Sequence, residues 1–344
     1  MAVTIKDIAK QAGVGVATVS RVLNNSGYVS ENVRERVLTI VRESRYLPNT
    51  NARNLKVNSS RNIGLFVKGI TNPFFTKMIR IIEEKCALQG YTLTLKNVNE
   101  HQDEMTMAAD EVRSSNLCGV ILMGGVVGYS EAQFRELGVP CVLTTIHAGE
   151  DVPKNVYSSV CIDDEKESQK AAEYLISIGH RRIGFIYDPS AERATPNQRR
   201  FFGYQKALAA HDIPFDRRLV ADIVHTSLYN GYAIGFNAVR SLYAASPDMT
   251  AVMAFSDVMA IGAMKGISSL GLRIPEDISV IGFDGIDAGE YYQPSLDTIL
   301  QPAGEMASSS IQFLFDMLRG GQAQHLVYEA VLARRGSTCP RKNK

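Results

Sequence analysis

From Arg61 onward the chain alternates short apolar runs with longer amphipathic ones, and this alternation restricts the fold more than any other feature. Runs that read as strands are Asn62–Lys68, Tyr91–Lys96, Cys118–Met123, Cys141–Thr145 and Val156–Ile162, with helical patterns such as Pro73–Gln89 and Met105–Ser115 between them. A second series has strand runs Arg182–Tyr187, Leu219–Val224, Ala251–Phe255 and Ile278–Phe283. Its helical patterns are Glu165–Ile178, Phe201–His211, Ser227–Ser246 and Asp257–Leu270. Such alternation implies parallel sheets covered by helices on both faces. Two similar series predict two Rossmann-like parallel-sheet lobes instead of one large sheet. Ligands of these sheets bind outside the carboxyl ends of the strands, so two facing lobes predict a cleft.

The first sixty residues have a different texture. In Thr4–Leu23, Ile5, Ile8, Ala9 and Ala12 recur on one helix face, with Thr4 at the N-cap and Asp7 three residues on. Gly13 stands where a left-handed residue would end that helix. A second helix begins near Val16 and buries Val19, Val22 and Leu23. At 100° per residue, Ala17 and Arg21 then point away from the apolar side. Ser30 opens a third pattern whose Val33, Val37, Ile40 and Val41 form a stripe, and Pro48 stops it. This is an all-α head with a helix-turn-helix.

Charge divides the chain at the same place. Residues 1–61 hold ten Lys/Arg and four Asp/Glu, giving +6; the remainder holds 37 − 10 = 27 bases and 36 − 4 = 32 acids, giving −5. A polyanion is drawn to the head and mildly repelled by the body. No run approaches twenty continuous apolar residues, so no membrane span is expected, and MAVTIKDIAK lacks the design of a signal peptide. Cys86, Cys118, Cys141, Cys161 and Cys339 show no metal or redox spacing; three fall in apolar strand runs, where buried reduced thiols are expected. These features predict a cytoplasmic protein.

Catalytic and cofactor motifs are weak. His180 has no nucleophile at a telling spacing and reads as a structural surface residue. Asp163-Asp164-Glu165 opens a helix, where acids complement the dipole, so no metal is expected. Gly124-Gly125-x-x-Gly128 follows a strand but lacks the glycine spacing of a dinucleotide loop. The chain reads as neither an enzyme nor a cofactor carrier.

Thr4-Ile5-x-Asp7-Ile8-Ala9, Ala12-Gly13-Val14 and Thr18-Val19-Ser20-Arg21 resemble, without a gap, the DNA-reading segment of the lac/galactose repressor family. The family's usual serine N-cap of the second helix is Gly15 here, a loss of only a few tenths of a kcal/mol. The resemblance continues through Asn51-Ala52-Arg53-x-Leu55, similar to the family's hinge helix, and into the body. Landmarks there are Asn72-Pro73-Phe74-Phe75, Gly179-His180-Arg181-Arg182, Ser256-Asp257, Gly282-Phe283-Asp284 and Arg335-Gly336-Ser337-Thr338. It implies a helix-turn-helix head over 1–47, a hinge and linker over 48–60, and a bilobed periplasmic-binding-protein-like core over 61–344. The lobes expected are 61–161 plus 292–320 and 162–290 plus 323–340, with crossings near Ile162, Gly289–Pro294 and Arg319–Gln324.

The resemblance also implies site residues. Thr4 and Thr18 would hold phosphates, Arg21 a guanine edge, and Val16 and Ala17 thymine methyls, with Asn24 beside them. Ala52 would approach closely while Leu55 wedges into the minor groove. In the cleft the expected contacts are Phe74, Phe75, Asp163, Arg200, Thr226, Ser256, Asp257 and Asp284, one phenylalanine of the pair being helix core. Thr145-Ile146 stands where sugar-binding relatives often carry Asp/Asn-Arg, which implies a less polar, modified or differently placed ligand. The partners implied are double-stranded DNA with a pseudopalindromic operator, a small-molecule effector and a second subunit in a homodimer, a tetramer being compatible. The function implied is an effector-controlled repressor; a solute-binding protein is the alternative that the core alone would fit.

Overall fold

The structure, a computed structural model, describes residues 5–23, 28–44, 60–99, 102–125, 128–187, 195–222 and 231–341. It comprises two compact units, residues 1–59 and 60–344.

The head has three helices, α1 (Ile5–Ala12), α2 (Val16–Leu23) and α3 (Glu31–Glu43). Gly13 ends α1 at φ 63°, where its amide donates to the Lys10 carbonyl and that of Val14 to the Ala9 carbonyl. This pairing satisfies carbonyls that the helix end leaves open and needs a residue without a Cβ penalty. The Gly15 carbonyl accepts from the amides of Thr18 and Val19 and starts α2. Ile8, Ala9, Ala12, Val19, Val22 and Val37 form a small closed core.

The second unit contains two six-stranded sheets of the same design. The N-lobe holds β1 (Asn62–Lys68), α4 (Pro73–Leu88), β2 (Thr92–Val98), α5 (Glu104–Ser114), β3 (Gly119–Met123), α6 (Glu131–Leu137), β4 (Cys141–Thr144) and β5 (Ser158–Ile162). The C-lobe holds α7 (Asp164–Ser177), β6 (Ile183–Tyr187), α8 (Pro196–Ala210), β7 (Val220–Asp222), α9 (Gly231–Ala245), β8 (Ala251–Ala254), α10 (Asp257–Ser269), β9 (Ser279–Asp284) and β10 (Asp297–Leu300). The chain then returns to the N-lobe as α11 (Ala303–Leu318) and β11 (His325–Tyr328), and ends in the C-lobe with β12 (Val331–Ala333). Strand order is β2-β1-β3-β4-β5-β11 in one lobe and β7-β6-β8-β9-β10-β12 in the other. All pairs are parallel except β10 with β12. Order reverses between β1 and β3, and again between β6 and β8, and such switch points open ligand crevices at the carboxyl edge.

Strands β1, β3, β4 and β5 are buried almost throughout, as two-sided helical cover requires. In the C-lobe, α9 and α10 touch backbone to backbone. A Cβ on Gly235 would lie 1.9 Å from the Met259 carbonyl, and one on Gly262 2.0 Å from that of Tyr232. The C-terminal strap is tied down by Asp297, whose Oδ1 accepts from the amides of Arg335, Gly336 and Ser337 at 2.8, 2.7 and 3.0 Å.

The lobes are divided differently from the expectation. The first crossing follows Ile162, but the second lies between Leu300 and Ala303 and the third between Tyr328 and Val331. Residues 292–300 therefore belong to the C-lobe and 325–328 to the N-lobe. At the crossings expected near 289–294 and 319–324 the chain instead stays within one lobe, in a 3₁₀ turn, Asp287–Glu290, and in the end of α11, where Gly320 has φ 90°. His180 is structural but buried, its ring joining Thr250 Oγ1 at 2.9 Å and the Cys339 carbonyl at 3.1 Å. Cys86, Cys118, Cys141 and Cys161 are free and buried, and burial pushes the thiols of Cys86 and Cys118 up to about 12 and about 11. Among the described residues no helix is long and apolar enough to cross a membrane.

Candidate functional sites: an exposed helix face and an interlobe cleft

On α2 the apolar side chains Val19 and Val22 turn into the head core, which forces Val16, Ala17 and Arg21 outward. Thr18 is half-buried beside them. The result is a two-turn helix with a small apolar step and one exposed guanidinium, the donor fork suited to a guanine edge. Thr4, Asn24, Ala52 and Leu55 lie outside the described residues, as do Thr226 and the whole hinge.

In the cleft, Asp284 closes β9 at its carboxyl edge with φ 120°, a conformation that an aspartate holds only under constraint. The constraint comes from both lobes. Asn72 Nδ2, from the turn before α4 in the N-lobe, donates to Asp284 Oδ2 at 2.8 Å. Gln301 Nε2, on the second crossing, donates to Oδ1 at 2.9 Å, and Arg200 Nη1 approaches Oδ1 at 3.4 Å. Arg200 also donates from Nε to Asp164 Oδ1 at 2.7 Å and from Nη1 to the Phe255 carbonyl, and lies 3.7 Å over the Phe283 ring. Burial raises the pKa of both Asp164 and Asp284; the guanidinium pulls each back, as do Asn72 and Gln301 for Asp284. The arrangement offers a fixed fork, a carboxylate and two amides to a polyhydroxyl ligand.

The other expected residues fall into different positions. Asp257 is fully buried, and both oxygens are spent inside the C-lobe: Oδ2 accepts from the amides of Gly285 and Ile286, and Oδ1 from Thr298. It positions the turn after Asp284 and is sealed from the surface at 0% exposure. Ser256 is the N-cap of α10, bonded to the Met259 amide. Asp163 is exposed and caps α7 through the Lys166 amide. Phe74 and Phe75 are both buried and meet edge to face, with Phe75 against Gly69 and Gly124.

Three residues bonded to Asp284 or Arg200 carried no local mark of that placement. Asn72 stands in a legible turn and also caps α4 through Phe74, but its reach to Asp284 spans 212 positions. Asp164 read as a helix-start acid, and Gln301 sits in a stretch without pattern. At the end of β4, Thr145 adopts φ 68° and accepts from the Gly124 amide at 3.1 Å, while Ile146 turns into the N-lobe core. No charge enters the cleft from that point.

A helix-turn-helix head joined in one chain to two ligand-cleft lobes defines a DNA-binding regulator under small-molecule control. Residues 4–49 match the bacterial regulatory proteins of the lacI family, and residues 172–338 the periplasmic binding protein-like domain. The chain is 39% identical over 340 residues to the HTH-type transcriptional regulator MalR of Clostridium butyricum, covering 97% of this chain and 98% of that one. It is 35% identical over 341 residues to the HTH-type transcriptional repressor CytR of Escherichia coli K12, covering 98% and 96%. A transcriptional regulator CelR–cellobiose complex shares its structure with a TM-score of 0.70 and 29% identity, over 97% of this chain and 99% of that one. The protein belongs to the lacI family of bacterial transcriptional regulators.

Proposed function

We propose that this regulator is a dimeric repressor whose effector is a saccharide held between the lobes, with hydroxyls on Asp284, Arg200, Asn72 and Gln301. The observation that carries the reading is the convergence on Asp284, from both lobes, of donors that a polyol can match. The resemblance to a regulator solved with cellobiose supports a saccharide. Because Asn72 bridges to Asp284 across the cleft, a ligand that inserts between them must change the interlobe geometry. That change shifts the population of subunit pairs able to hold an operator. Arg21 reads a guanine, Val16 and Ala17 fit a half-site of a palindrome centred on a CG step, and Thr4, Thr18 and Asn24 position the head. Ala52 and Leu55 form the hinge wedge. The protein acts by binding alone, without catalysis, in the cytoplasm with its DNA.

A thermal-shift screen of common mono- and disaccharides, followed by calorimetry, tests the cleft. Asp284→Ala weakens the best saccharide by about a hundredfold or more. Unchanged affinity in that variant removes the cleft assignment.

A further inference from the structure

The N-lobe edge of the cleft carries a polar cluster that the effector set does not use. Lys68 is the last residue of β1, beside the point where strand order reverses. Its Nζ lies 2.8 Å from Glu104 Oε2 and donates to the Gln102 carbonyl at 2.9 Å. The Tyr129 hydroxyl donates to Glu104 Oε1. Glu104 and Tyr129 are 3% and 2% exposed, whereas the Lys68 side chain keeps 14%. The Gly124-Gly125 turn lies directly on this cluster. A Cβ on Gly124 would meet the Lys68 carbonyl at 2.5 Å, and one on Gly125 would meet Glu104 Oε1 at 2.5 Å and the Tyr129 hydroxyl at 3.1 Å. The glycine pair therefore serves close approach to the cluster, which answers what its sequence pattern left open.

An ammonium group has three N–H donors, and two are committed here. The third has no partner among the described residues. Lys68 ends β1 at the carboxyl edge of its sheet, the edge from which Asn72, four residues on, reaches the C-lobe. The carboxylate at 2.8 Å already balances its charge. An anionic ligand group would share the ammonium with Glu104 against like-charge repulsion, whereas a neutral oxygen meets no such cost.

We propose that Lys68, locked by Glu104 and Tyr129 beneath the Gly124-Gly125 turn, sets N-lobe specificity by donating its third N–H to a neutral acceptor oxygen of the saccharide. The proposal rests on the effector reading above, and the test separates the two. Lys68→Met with Glu104→Gln keeps the aliphatic stem, the neutrality of the cluster and an acceptor for Tyr129. The full-length double variant is titrated against a panel of neutral mono- and disaccharides, including cellobiose, and against glucuronate. The best neutral saccharide binds roughly ten- to a hundredfold more weakly than to wild type, with operator binding in its absence unchanged. Wild type binds glucuronate more weakly than glucose. Wild-type affinity in the double variant, with Asp284→Ala still impaired, overturns the role of Lys68 alone. Wild-type affinity in Asp284→Ala, or no binding of any neutral saccharide to wild type, overturns both readings. Tighter binding of glucuronate overturns the neutral acceptor. If the double variant does not fold, Lys68→Arg decides, because it keeps the ion pair but displaces the donor; unchanged affinity there refutes the proposal.

Discussion

In the head Val16, Ala17 and Arg21, the side chains proposed to meet DNA, stand exposed on a two-turn helix. In the core, Arg200 and Asp284 are only 8% and 3% exposed and are held by neighbours far away in sequence. The difference follows from what each region recognises. A duplex groove is wide and polar, so a protruding guanidinium suffices, and register is set by contacts to phosphates and by a second half-site. A small ligand is selected by fixed donors and acceptors in a nearly dry site, which requires buried polar groups that satisfy one another in its absence. A head whose described residues bury six apolar side chains in its core has little stability to spare, whereas the core can hold a constrained aspartate and a buried ion cluster.

The largest expected effect separates the stabilities of the two regions. Asp297→Ala strands the amides of Arg335, Gly336 and Ser337 and lowers the unfolding free energy of the core by about 3–5 kcal/mol. Denaturant unfolding of the core with hydrogen exchange of the head checks it; equal loss in the head would break the division into separate units. Arg21→Ala acts the other way. It costs about 1–3 kcal/mol of discrimination between operator and scrambled duplex, read by titration at fixed salt, while core melting stays put.

A pH effect belongs to the core alone. Burial, with the charge of Asp284 second, raises the carboxyl of Asp257 from 3.8 to about 7. A folded pKa above the unfolded one means that the folded core holds a proton which the unfolded chain releases. That stability is complete below pH 3.8 and lost as pH rises through about 7. Core melting temperature therefore declines between about pH 4 and about pH 7 and levels off above that. Asp257→Asn flattens the decline, and an unchanged slope would assign it to other groups. The smallest effect is in the head. A Cβ on Gly15 meets no atom within 4 Å, so Gly15→Ser adds an N-cap and slows exchange in α2 by about 0.5 kcal/mol of opening free energy. Faster exchange would show that the glycine is needed there.

The sequence by itself determined what local periodicity can express. The faces of α1, α2 and α3, the outward placement of Ala17 and Arg21, and the strand–helix rhythm from β1 to β9 follow from spacing, because each element buries one side against its neighbours. The last stretch was less legible. Strands β10, β11 and β12 span three or four residues, and β11 and β12 are only partly buried, so no pattern marks them or the crossings they define. Position at a strand end was legible for Asp284, whereas Arg200 sits one turn inside α8 and not at its start. Position was misleading at Asp257, which matched a ligand contact while its oxygens serve the turn beyond Asp284. Tertiary structure alone decided that Asn72, Gln301 and Arg200 meet at one carboxylate, and that Lys68 is held by Glu104 and Tyr129. Those meetings depend on which strands become neighbours and where the chain changes lobes, and no local segment stores that information.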